Sequence, residues 1–124
     1  MKYNGFYKRQ EGFRLAFNEP IPATFTILNL EGKVDDSQNG FFHILDMSVK
    51  GAKIISIKQI HIPNFHIKME CVIVDEPIQM DGELIWEKKR NNEFIYGVSF
   101  IPKSYSEQQL LQELKKYVIK NKSS

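Results

Sequence analysis

FFHILDMSVKGAKIISI, residues 41–57, is two short apolar stretches joined by DMSVKG (46–51). The flanks carry the aromatic and β-branched residues that favour strands. The joint carries residue types suited to a tight turn: Asp46 and Ser48 accept hydrogen bonds from nearby backbone amides, and Gly51 admits a positive φ. The unit reads as strand, turn, strand, and it recurs along the chain. ATFTILNL (23–30) precedes it, and FHIKMECVIVD (65–75), IQMDGELIWEKK (78–89) and EFIYGVSFI (93–101) follow. Several of these alternate apolar and polar residues, as do Ile67, Met69 and Cys71 against His66, Lys68 and Glu70. Short strands separated by turn signals indicate an all-β barrel or sandwich. EGKVDDSQNG (31–40) reads as a turn-rich connection, its Asn39-Gly40 pair favouring positive φ, and KKRNNE (88–93) as a hairpin loop with Asn91 and Asn92 at its tip.

The two ends of the chain differ from the middle. Residues 1–14 have no periodicity and set Lys2, Lys8, Arg9 and Arg14 against Glu11, a basic and flexible arm. SEQQLLQELKKYVIK (106–120) puts Leu111, Leu114 and Val118 on one helical face with Leu110 and Tyr117 beside it. Ser106 and Gln109 form a capping box, and lysines crowd the far end, where they complement the helix dipole. The expected architecture is mainly all-β: a small antiparallel β-barrel of about six strands over residues 15–102, with a C-terminal amphipathic α-helix over 104–120. The 124 residues make one domain, 1–124, with enough chain for a core of its own.

Composition narrows the function classes. With 26% charged and 42% hydrophobic residues the chain is of ordinary soluble type, and a formal net charge of +2 argues against broad nucleic-acid binding. A barrel that binds single-stranded nucleic acid would need a wide basic face, and here acids are scattered through the strands. No stretch is apolar enough to span a bilayer, and the N-terminus lacks a hydrophobic signal region. Cys71 is the only cysteine, sits in an apolar run and reads as inert core in a reducing cytoplasm. No nucleophile–base–orienter set is visible, so catalysis is not expected. His61 and His66 flank Pro63 without a partner at ligand spacing and read as surface histidines rather than metal ligands. His43 reads as a strand residue on the less buried face, Trp86 as core or half-buried, and Asp35 and Asp36 as solvated.

DMSVKG admits a second reading beside the turn. YKRQEGFRLAF (7–17) places basic residues immediately before the first strand. Arginine offers a planar fork that matches a phosphate or the O6/N7 edge of guanine, and a flat face that stacks on a base. An acid and a hydroxyl facing such arginines can accept from guanine N–H groups, so the two segments together suit a guanine nucleotide.

The basic segment, the barrel of short strands, the DxSxxG turn, the YGVSF strand and the final helix together resemble the PilZ domain across nearly the whole chain. PilZ domains are bacterial receptors for cyclic di-GMP, with a signature of RxxxR followed by (D/N)xSxxG. The second element is matched by Asp46, Ser48 and Gly51. The first departs from the pattern: four residues separate Arg9 from Arg14, and Gln10 stands where the first arginine is expected. Gly12 could absorb the extra residue as a bulge, and Lys8 could supply a point charge. The resemblance implies a ligand site of Lys8, Arg9, Gln10, Arg14, Asp46, Ser48 and Gly51 for cyclic di-GMP, no cofactor or metal, and an unidentified protein partner that reads a change of shape in the arm. The alternative is a degenerate PilZ domain that binds no nucleotide and serves as a protein-interaction module.

Overall fold

Six strands and one helix account for most of the chain that the computed structural model describes, residues 14–28, 34–60 and 66–122. The strands are β1 (Arg14–Leu28), β2 (Val34–Ser48), β3 (Gly51–Ser56), β4 (His66–Val72), β5 (Pro77–Arg90) and β6 (Glu93–Phe100), followed by α1 (Glu107–Lys122). All pairings are antiparallel, in the order β1-β2-β3-β6-β5-β4, and β4 returns to pair with β1. The ring closes into a barrel, with the longer strands β1, β2 and β5 running beyond one of their two neighbours.

Alternation fills the interior. Phe42, Ile44, Met47, Ile54, Ile67, Met69 and Met80 are essentially inaccessible to solvent, and Phe25 stacks on Phe42 with ring centroids 5.1 Å apart. Burying each such side chain contributes about 1.5–3 kcal/mol. Leu110 and Leu114 of α1 are fully buried with them. Ser106 caps the helix, its hydroxyl accepting the Gln109 amide at 3.1 Å.

Three irregularities of register shape the surface. Between Ala16 and Ile21, β1 spends residues 17–20 opposite the single Leu45 of β2. This bow turns Phe17 inward and leaves Asn18, Glu19 and Pro20 exposed, and Pro20 suits it because a bulge asks for no ladder N–H. Between Phe25 and Ile27, β2 carries the excess, residues 36–39. Between Leu84 and Trp86, β5 gains Ile85. The last of these inverts the alternation, so Trp86 faces outward and is 45% exposed, contrary to the core or half-buried position expected for it.

Two further expectations are corrected. DDSQNG belongs to β2, not to a loop: the ladder with β1 reaches Leu28↔Val34, and Gly40 lacks the positive φ expected of it. Strand pairing overrides turn propensity there, and the Phe25 ring covers Gly40, 3.3 Å from where a Cβ would stand. The buried face of α1 is centred on Leu110, Glu113 and Leu114 rather than on Leu111, Leu114 and Val118, with Leu111 and Val118 only half-buried. Glu113 lies on that buried face and binds the backbone beneath the helix. Asn91 takes φ 55° in the two-residue β5–β6 turn, as the hairpin reading requires. No helix among the described residues is long and apolar enough to cross a membrane.

Candidate ligand-binding site

The strand ladder brings Arg14 to the DMSVKG turn. Arg14 opens β1 opposite Ser48, and Ala16 lies opposite Asp46. The guanidinium therefore reaches along one face to the Asp46 carboxylate. Nε donates to Oδ1 at 3.0 Å and Nη2 donates to the same oxygen at 2.7 Å. Lys53 Nζ stands 3.5 Å from the other oxygen, Oδ2. Asp46 thus orients one cation and attracts a second, on a part-buried patch of the outer barrel wall.

Ser48 and Gly51 have different tasks from Asp46. The Ser48 side chain is fully buried, and its hydroxyl oxygen accepts the amides of Lys50 at 3.0 Å and Gly51 at 3.2 Å. Two donors occupy both of its acceptor positions, so it holds the turn in shape. Gly51 takes no positive φ. It is required because a Cβ there would lie 2.4 Å from the Val98 carbonyl oxygen of β6. The turn reading of DMSVKG accounts for these two residues, while Asp46 faces the other half of the motif. Lys8, Arg9 and Gln10 lie outside the described residues, as does His61. His66 is exposed on β4 and His43 half-buried on β2.

The register places Asp46 in a row that crosses the outside of the barrel. Ala16 pairs with Asp46, Asp46 with Lys53, Lys53 with Gly97, and Gly97 with Trp86. Gly97 has no side chain, and the Trp86 indole fills the space above it: a Cβ on Gly97 would sit 2.1 Å from Trp86 Nε1. At about 4.8 Å per strand, the covered Gly97 position lies about 10 Å from Asp46. A fork of arginine, a lysine and an exposed indole therefore share one surface. Sequence inspection missed Lys53 and Trp86, because the row exists only in the register between strands.

The sequence model of the PilZ domain matches residues 8–119. The chain belongs to the PilZ family. The PilZ domain of YcgR from Escherichia coli, solved with c-di-GMP, has the same fold, with a TM-score of 0.59, 15% sequence identity, and coverage of 87% of this chain and 88% of that one. No match was found among curated proteins. PilZ domains are binding domains rather than enzymes. Burial, then the charges of Glu70 and Glu113, push the Cys71 thiol up to about 12, so it is protonated at neutral pH. Burial likewise pushes the Tyr105 hydroxyl up to about 12.

Among the described residues, the carboxylate most completely satisfied is not in the motif. Glu113 of α1 is 1% exposed, and its Oε1 accepts the amides of Val74, Asp75 and Glu76 at 3.1, 2.9 and 3.3 Å. Lys116 Nζ lies 3.2 Å from Oε2. Burial favours the neutral acid, yet the backbone N–H groups and Lys116 outweigh it and hold Glu113 below the usual carboxylate range.

Proposed function

We propose that this PilZ domain is a non-catalytic receptor for cyclic di-GMP, and that the ligand lies across the outer wall from Arg14 to Trp86. The observation that carries the reading is the Arg14–Asp46 fork beside DMSVKG. Arginine held flat by a carboxylate is preorganised for a phosphate or for a guanine edge. Asp46 supplies an acceptor for guanine N–H groups. Lys53 adds charge toward the phosphates, and the indole offers a stacking surface, a contact worth about 1–3 kcal/mol per base. Ser48 and Gly51 act indirectly, by fixing where Asp46 stands. The family resemblance adds Lys8, Arg9 and Gln10 as further ligand contacts, and a change in that segment on binding is what an unidentified protein partner reads. The free thiol of Cys71 fits work in the cytoplasm.

The second reading, a degenerate domain that binds no nucleotide, is favoured by one observation: Gln10 stands where the family pattern has an arginine. Losing a hydrogen bond to a charged group costs about 1.5–3 kcal/mol, equivalent to roughly ten- to a hundredfold in affinity. Calorimetric titration with cyclic di-GMP separates the two. Saturable binding that weakens as salt rises is expected. Absence of heat and of competition at millimolar ligand supports the degenerate domain.

A further inference from the structure

Lys50 is the cation of DMSVKG that the family signature leaves unspecified. Its backbone is held on both sides. The amide donates to Ser48 Oγ at 3.0 Å, and the carbonyl accepts the Phe100 amide at 2.8 Å. Next to it, the Val49 carbonyl accepts the hydroxyl of Tyr105, in the segment leading into α1. The side chain of Lys50 is not held in the same way. It pairs with Glu107, the first residue of α1, with Nζ 2.8 Å from Oε2 and side chains 52% and 47% exposed. An ion pair this exposed is weak and open to competition. The turn that carries Lys50 begins two residues after Asp46, at the end of the barrel where Arg14 starts β1.

These observations describe a cation on a fixed backbone, held loosely by the N-terminal turn of the helix, beside a site for a dianion. We propose that Lys50 passes between two anions: Glu107 when the site is empty, and a phosphate of the bound cyclic dinucleotide when it is full. Glu107 then opposes binding, and the ligand loosens the first turn of α1 by removing its partner. The inference rests on the receptor reading above and adds the C-terminal helix as an element that senses the ligand.

The test is a double-mutant cycle by calorimetry with cyclic di-GMP on the full chain. Both side chains are exposed, so Lys50→Ala and Glu107→Gln keep the fold. Glu107→Gln is expected to tighten binding about two- to fivefold, and Lys50→Ala to weaken it about fivefold. Adding Glu107→Gln to Lys50→Ala should then give no gain, because the competed cation is gone. Hydrogen exchange reads the helix. The Leu110 amide, bonded to the Ser106 carbonyl at 3.1 Å, should exchange faster in the saturated wild type. If the wild type binds and Glu107→Gln leaves its affinity unchanged, or tightens it equally with and without Lys50, the exchange of partners is overturned. Binding with unchanged Leu110 exchange overturns the link to α1. If the wild type itself does not bind, the receptor reading falls first, and this inference falls with it.

Discussion

Asp46 and Glu113 are two carboxylates that meet opposite fates in one small barrel. Asp46 is held by side chains, the Arg14 guanidinium and the Lys53 ammonium, on a surface that water reaches. Glu113 is held chiefly by backbone, three consecutive amides of the β4–β5 connection, with Lys116 closing the other oxygen. Side-chain partners swing away at little cost. Backbone amides cannot, and each one stranded in the interior costs about 1–3 kcal/mol. Glu113 fastens the helix to the barrel, whereas on the proposed receptor reading Asp46 presents an arginine to the ligand.

The largest expected effect belongs to the backbone-held acid. Glu113→Ala strands amides of the β4–β5 connection beneath α1, so we expect a loss of about 3 kcal/mol, read as a melting temperature lower by roughly 10 °C. Cyclic di-GMP affinity at a temperature where the variant stays folded should change little. A Glu113→Ala protein as stable as the wild type would erase the distinction between the two carboxylates.

The same contrast has a pH signature. The folded-state pKa of Glu113 is depressed below its ordinary 4.5, so the folded chain favours the ionised form. Its contribution is complete above the unfolded-state value and is lost as pH falls through the folded-state value. Stability should therefore decline on acidification below about pH 4.5, and Glu113→Gln should flatten that decline. An unchanged pH slope in Glu113→Gln would place the acid sensitivity elsewhere.

The site should behave in the opposite way, with changes in affinity and little change in stability. Arg14→Ala should weaken cyclic di-GMP binding at least tenfold, from the loss of charged hydrogen bonds, with the circular dichroism spectrum preserved. Trp86→Ala should weaken it by about fivefold or more through lost stacking, while an outward-facing side chain costs the fold little. The smallest effect on stability is expected for Asp46→Ala, within about 1 kcal/mol, since only a part-exposed pair is lost. A melting temperature that drops as far for Asp46→Ala as for Glu113→Ala would make Asp46 a structural residue and remove the comparison.

How much of this could be read from the residues alone follows from where the information lies. The strands, the hairpin at Asn91 and the capped helix were legible because alternation, turn chemistry and capping are local. The meeting of Arg14 with Asp46 was legible as a paired motif at long separation. Trp86 was not, since the extra Ile85 in β5 reverses which residues face outward, and nothing local distinguishes that bulge from plain alternation. Glu113 escaped because a periodicity argument assigns a helical glutamate to solvent, and its partners apart from Lys116 are main-chain groups without a sequence code. DDSQNG misled in the other direction: a segment rich in turn formers was drawn into β2 by the ladder with β1. Gly51 was expected for its tolerance of positive φ, but it takes none, and the close approach of the Val98 carbonyl is what requires it.

The most direct test of the central claim is a nuclear magnetic resonance titration of the 15N-labelled chain with cyclic di-GMP. Trp86 is the only tryptophan, so its indole N–H gives one unambiguous probe. The expected result is a set of saturable shifts at that indole and at the amides of Arg14, Asp46, Lys50, Lys53 and Gly97, with the β4 amides from Ile67 to Cys71 nearly still. Shifts confined to β4 and β5 away from Trp86, with Arg14, Asp46 and the indole unmoved, would contradict the account and put the ligand on another face of the barrel.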